Sequence, residues 1–328
     1  SGGRYDNLAE YYTDKQLPGV GISIGLTRLF YVLGEQGYLN DSMNRAPADV
    51  LILPMTDDMG AAIALATSLR DAGIRSLEKG RTWYTSNSGL AELREETCNY
   101  LSRRMGLSYT PGETVVTVGG SEAIDMCIRA LVNPGDEVII PEPCFVCYYP
   151  ITTLTGGVPV PLPLKAENGF KLTAQELEEK ITPKTKVLIL PFPNNPTGAV
   201  MRRSHLEEIA EVVKRHNLFV LSDEIYSELT YGETSHVSFA AIGDMAERTV
   251  VVNGFSKAFA MTGWRLGYAM GPKEIIAQMT KLHQYAIMSA PTTAQYAAIE
   301  AMHNGDSDIE NMREQYDMRR CLIVDSLN

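Results

Sequence analysis

From Ser76 onward the chain alternates short apolar runs with amphipathic helical stretches, and any fold it adopts must accommodate that rhythm. The apolar runs are Val115–Val118, Glu137–Ile140, Val158–Pro161, Lys186–Leu190, Phe219–Leu221, Thr249–Val252 and Leu266–Ala269. The stretches with helical spacing are Gly89–Arg104, Glu122–Val132, Gln175–Ile181, Leu206–His216, Lys273–Gln284, Thr292–Met302 and Asp308–Asp325. Several apolar runs are continuous rather than alternating, as expected of strands covered by helices on both faces. The rhythm predicts an α/β fold with a mostly parallel seven-stranded sheet and helices on both faces. Two helix starts carry capping-box spacing, Thr173-x-x-Glu176 and Ser204-x-x-Glu207.

Ligands of such sheets sit beyond the carboxyl ends of the strands. Five of those ends carry small, polar or aromatic residues. After Val118 comes Gly119-Gly-Ser-Glu-Ala; Gly120, Ser121 and Glu122 stand where a helix begins, as an ordinary glycine turn or as free amides for a phosphate. Phe145 follows the second run, either as a core side chain or as a ring for stacking. Asn195, in Asn-Asn-Pro-Thr-Gly, can donate an amide hydrogen bond from a rigid turn. Asp223 ends an apolar run, either as a helix N-cap or as a carboxylate paired with a pyridinium nitrogen. Tyr226 presents a hydroxyl from the same turn.

The fifth end is Asn253–Tyr268. It places Lys257 among small and apolar residues, with Arg265 eight residues on. A lysine in apolar surroundings resists charging and can act as a nucleophile, and an arginine suits a phosphate. Together they suggest a Schiff base with a phosphate-bearing aldehyde; a surface lysine and a structural arginine are the plainer alternative.

Composition bounds the remaining readings. A formal net charge of -11 argues against general nucleic-acid or anionic-membrane binding. Five scattered cysteines fit a reducing cytoplasm better than a disulfide framework. Cys144-Phe-Val-Cys147 has redox or half-zinc spacing without a second pair, and the five histidines form no metal-ligand pattern. No metal is expected.

As a set, Gly119-Gly-Ser-Glu-Ala, Asn195-Pro-Thr-Gly198, Ser222-Asp-Glu-Ile-Tyr226 and Ser256-Lys-Ala-Phe-Ala-Met-Thr-Gly-Trp-Arg265 resemble the class I aminotransferases of fold type I, over residues 77 to the end. The resemblance implies pyridoxal 5'-phosphate as cofactor and transfer of an amino group between an amino acid and a 2-oxo acid. Carbon–sulfur lyases of the same fold type are the alternative within this class. It implies that Lys257 forms the Schiff base and shuttles the proton. Asp223 would pair with the pyridinium, and Asn195 and Tyr226 would bond the ring's 3′ oxygen. Arg265 and the Gly120–Glu122 turn would hold the phosphate, with Phe145 stacked on the ring. Tyr84 would reach the phosphate of a partner subunit, implying a homodimer. The family's C-terminal small domain, with its substrate-carboxylate arginine, is expected to be missing, so 76–328 is read as a truncated large domain.

Residues 1 to 75 have another character. Gly2-Gly-Arg-Tyr-Asp6 and Gly19-Val-Gly-Ile-Ser-Ile-Gly-Leu-Thr-Arg-Leu29 resemble the third motif of histidyl-tRNA synthetase. That resemblance implies an ATP-phosphate role for Arg28, and a tRNA- or histidine-binding remnant as the alternative function. Residues 1–47 are read as that motif and 48–75 as the start of its anticodon-binding domain. Met59–Ala72 is expected to be a helix capped by Gly73. The join near residues 71–80 would make the chain chimeric.

Overall fold

The structure is a computed structural model that describes residues 2–5, 19–22, 60–232 and 235–327. The chain divides into two units, Ser1–Asp57 and Asp58–Asn328. In the first, strands β1 (Gly2–Tyr5) and β2 (Gly19–Ile22) pair antiparallel, with Arg4 opposite Val20. Arg28 and the expected strand Asp49–Pro54 lie outside the described residues.

The second unit runs α1 (Gly60–Glu78), α2 (Ala91–Met105), β3 (Thr114–Thr117), α3 (Gly120–Leu131), β4 (Glu137–Glu142), α4 (Tyr148–Leu154) and β5 (Val158–Pro163). It continues through α5 (Ala174–Glu178), β6 (Thr185–Leu190), α6 (Arg203–Arg215), β7 (Phe219–Asp223), β8 (Thr249–Gly254), α7 (Phe255–Ala258) and β9 (Gly267–Met270). Three helices close it: α8 (Lys273–Ala286), α9 (Thr292–Asn304) and α10 (Asp306–Leu327).

The seven expected strands form one sheet in the order β3-β9-β8-β7-β6-β4-β5. All run parallel except β9, which is antiparallel to both β3 and β8. The carboxyl ends of β3, β4, β6, β7 and β8 therefore share one edge. The continuous apolar runs are buried on both faces, as in β8, where every residue is buried. One face packs Phe239, Leu206, Ile209 and Val213 against Leu188 and Val220; the other packs Ile124 and Ile128 against Val250, Ile140 and Ile189. A third cluster, with Leu93, Leu101, Phe255 and Phe259, joins α2 and α9.

Two local expectations fail for identifiable reasons, and one helix has no expectation to match it. Helix α1 does not stop at Gly73 but runs on to Glu78. Gly73 serves packing instead: a Cβ there would lie 3.1 Å from the Trp264 ring and 3.3 Å from Thr293 Cγ2. Ser204 does not cap α6, because the helix starts one residue earlier and puts Ser204 inside its first turn. Arg203 and Glu207 pair there instead, 4.0 Å apart. Helix α4 went unread: it is short, and Cys147-Tyr-Tyr-Pro150 looks like loop. The box at Thr173 forms as expected, with Thr173 Oγ1 accepting from the Glu176 amide at 3.2 Å.

Candidate active site

The five strand ends surround a cleft of about 340 Å³. Gly120, Ser121, Phe145, Asn195, Asp223, Tyr226, Lys257 and Arg265 all line it. Of the expected residues, Glu122 and Tyr84 do not.

Asp223 is the last residue of β7 and is buried. Its Oδ2 accepts from the Tyr148 hydroxyl at 2.7 Å and its Oδ1 from the Ile225 amide at 3.3 Å. Burial raises its pKa above the ordinary carboxyl value, and the Tyr148 and Ile225 bonds oppose that rise without cancelling it. A cation brought to this carboxylate would relieve the cost of its burial. Tyr148 stands at the first position of α4, and sequence reasoning missed it with its helix. Phe145 lies edge-on to the Tyr148 ring, with centroids 6.1 Å apart.

Lys257 belongs to α7, one turn beyond β8. Its Nζ sits 5.5 Å from the centre of the Tyr226 ring. Among the described residues no carboxylate pairs with Lys257 or with Arg265, although most other arginines at the helix surfaces are paired. Arg265 takes a left-handed conformation, φ 51°, and donates to the Thr262 carbonyl at 3.2 Å.

The arginine approaches the start of α3 closely. Gly119 has φ +80°, and a Cβ on it would lie 2.7 Å from Arg265 Nη2. A Cβ on Gly267 would lie 2.6 Å from the Gly119 carbonyl carbon and 2.7 Å from the Gly120 nitrogen. Glycine is thus required on both sides of this contact. The result is a cationic guanidinium beside the unpaired amides of a helix N-terminus, a cradle for a dianionic phosphate. The Glu122 side chain is not part of that cradle. It folds back to accept from the Val118 amide at 2.5 Å. Here the expected contact narrows to the turn's amides at Gly120 and Ser121.

Asn195 faces the cleft because Asn194 holds the turn. The buried Asn194 donates to the Pro143 carbonyl at 3.3 Å and accepts from the Thr197 amide and hydroxyl at 3.1 and 2.8 Å. The doubled asparagine in the sequence is the signal for this division of labour. Tyr84 is 74% exposed and does not line this chain's cleft.

The cysteine pair beside Phe145 has the wrong electrostatics for redox work. Burial pushes the Cys144 thiol up to about 11 and the Cys147 thiol up to about 12. Among the described residues no group of histidine, cysteine and carboxylate side chains could hold a metal ion.

The profile of "Aminotransferase class I and II" matches residues 56–328. The chain belongs to this family. The match begins inside the stretch 48–75 that the sequence assigned to another origin. The chain is 54% identical over 264 residues to the Bacillus subtilis (strain 168) protein named "Putative aminotransferase YugH", covering 80% of this chain and 68% of that one. It is 42% identical to the aspartate aminotransferase of Geobacillus stearothermophilus, covering 78% of this chain and 66% of the relative. The crystal structure of the aromatic aminotransferase from Pyrococcus horikoshii superposes with a TM-score of 0.78 at 42% identity, over 80% of this chain and 71% of that one. The chain thus spans about two thirds of the length of these relatives.

Members of the family use pyridoxal 5'-phosphate. The cleft fits that group on its own terms: a buried carboxylate for a ring nitrogen, an unpaired lysine for an aldehyde, and a cradle of guanidinium and amides for a phosphate.

Proposed function

We propose that this cleft holds pyridoxal 5'-phosphate and that the chain's residues transfer an amino group between an amino acid and a 2-oxo acid. The observation that carries the reading is the placement of Asp223, Lys257 and Arg265 around one cleft, with a buried carboxylate and two unpaired cations. When bound, the cofactor supplies an electron sink through its ring. Asp223, held by Tyr148, would keep the ring nitrogen protonated. Asn195 and Tyr226 would hydrogen-bond the 3′ oxygen, and Phe145 would cover a ring face. Arg265 and the Gly120 and Ser121 amides would hold the phosphate, on the same cleft as Lys257. The Lys257 amine would hold the aldehyde as a Schiff base, with loss of water, and once displaced by a substrate amine it would be free to move the proton at the substrate Cα.

The names of the relatives support amino-acid substrates. A homodimer is part of the proposal. Trp83 and Tyr84 are 58% and 74% exposed, yet their segment is tied down: the Trp83 carbonyl accepts from Thr292 at 2.9 Å and Thr85 Oγ1 accepts from Gln295 at 3.0 Å. A fixed, exposed aromatic pair suits presentation to a second copy. For residues 1–47, the glycine-rich motifs support a separate, synthetase-like origin.

Titration of the chain with pyridoxal 5'-phosphate tests the cofactor reading. The expected result is a visible absorbance band that Lys257→Ala abolishes. Identical spectra for the two proteins would reject it.

A further inference from the structure

His283 lies in the last turn of α8 and is fully buried, yet the cofactor cleft does not include it. Its Nδ1 is 2.8 Å from the Asn87 carbonyl. A carbonyl only accepts, so Nδ1 carries a hydrogen. Its Nε2 has no hydrogen-bond partner and faces Glu122 Oε2 across 3.7 Å. A neutral ring in this tautomer would aim a lone pair at a carboxylate inside the protein, an arrangement that repels. A proton on Nε2 turns the same contact into an attraction. The end of a helix, with its negative dipole pole, also favours a cation.

Glu122 is not an idle neighbour. Its carboxylate binds the Val118 amide and so braces the turn whose next amides, at Gly120 and Ser121, form the phosphate cradle. A bare carboxylate there would oppose a phosphate dianion. The Asn87 carbonyl, at the other side of the imidazole, belongs to the segment that carries Tyr84.

We propose that His283 is a positioning residue for the phosphate: protonated on Nε2, it neutralises Glu122 behind the cradle while its Nδ1–H holds the Tyr84 segment. This rests on the cofactor reading. It assigns His283 no contact with the cofactor; it acts through Glu122.

The test measures the dissociation constant of pyridoxal 5'-phosphate, by absorbance, for wild type, His283→Asn and His283→Asn/Glu122→Gln. Asparagine can keep a donor for the Asn87 carbonyl while removing the arm toward Glu122. The expected result is a roughly tenfold weaker constant in His283→Asn, one unit of charge coupling, that Glu122→Gln largely restores. Pyridoxal, which lacks the phosphate, is expected to bind the first two proteins equally. An unchanged constant, a loss that Glu122→Gln does not restore, or an equal loss for pyridoxal overturns the proposal. Should His283→Asn not fold, nitrogen NMR of wild-type histidines decides: a proton on both ring nitrogens of His283 at neutral pH supports it, and a bare Nε2 overturns it. Absence of any Lys257-dependent band in wild type would instead reject the cofactor reading.

Discussion

The Tyr148 hydroxyl donates to Asp223 Oδ2 across 2.7 Å, joining the first residue of a short helix to the last residue of a central strand 75 positions away. The bond has a consequence for chemistry. Asp223 is driven toward its neutral form by burial, and Tyr148 pushes it back toward the carboxylate. Only the carboxylate can hold a pyridinium proton in place.

Tyr148→Phe removes that donor and leaves the ring. A hydrogen bond to a charged group contributes about 1.5–3 kcal/mol. The variant is expected to bind pyridoxal 5'-phosphate at least roughly tenfold more weakly. Asp223→Asn, which has no negative charge to keep the ring nitrogen protonated, is expected to lose far more turnover than affinity. Absorbance titration and single-turnover kinetics separate the two effects.

At the end of the cleft proposed to hold the phosphate, the decisive groups are backbone. Gly119→Ala puts a methyl group 2.7 Å from Arg265 Nη2, at a backbone angle that L-residues rarely adopt. Strain and displacement together are expected to cost about 2–4 kcal/mol of stability. Denaturant unfolding measures that loss. Cofactor affinity should fall with it, because Arg265 must move to make room.

These two cases show what the sequence could and could not disclose. That Lys257, Asp223, Asn195, Tyr226, Phe145 and Arg265 line one cleft was legible because each follows an apolar run at a strand end, where side chains are free to face outward. The seven-stranded sheet was legible from the runs themselves. Tyr148 was not, because it acts through Asp223 and its short helix carries no periodic signature, and the role of Asn194 was visible only as the doubling of Asn195. Gly73 was misread because a glycine that ends a helix and a glycine that admits a tryptophan ring look alike in one dimension. The antiparallel insertion of β9 also left no trace, since a strand buried on both faces has the same composition in either direction.

Glu224, next to Asp223, is fully buried. Burial acts to raise its pKa, but His236 at 2.8 Å and the Ser222 and Ser238 hydroxyls at 2.7 and 2.8 Å outweigh it, so the carboxyl titrates below its ordinary 4.5. A lowered folded value means that this group contributes stability above pH 4.5 and loses it as pH falls through the folded value. His236→Gln removes the largest opposing influence and lets burial dominate. The variant should be less stable at pH 7 by about 2–4 kcal/mol and begin its acid loss at a higher pH than wild type. Urea midpoints between pH 7 and 4 check both; two parallel curves would contradict the account.

The cysteines offer a chemical check on the Cys144–Cys147 pair. Their thiols, pushed up to about 11 and about 12, hold almost no thiolate at neutral pH. Cys98 and Cys127 are buried, whereas Cys321 is exposed on α10. Thiol titration at pH 7.5 is therefore expected to show one fast group of five, lost in Cys321→Ser. Two further fast groups would restore a redox role for the pair.

Arg104 grips Glu228 with two bonds, Nη2 to Oε2 at 2.6 Å and Nε to Oε1 at 3.1 Å. The Tyr100 hydroxyl completes the carboxylate at 2.6 Å. Glu228 lies two residues after Tyr226, so this clamp ties α2 to the segment that presents the phenol. The two ends of the pair differ. Arg104→Ala strands a carboxylate that is 9% exposed, with Tyr100 as its remaining partner. Glu228→Ala leaves an arginine that still reaches Glu310 at 2.8 Å and the solvent. Arg104→Ala is therefore expected to cost about 3–5 kcal/mol and Glu228→Ala clearly less. Arg104→Lys should fall between, because an ammonium cannot make the two-pronged contact. Unfolding midpoints order the three, and equal losses for the two alanine variants would show that burial does not set the asymmetry.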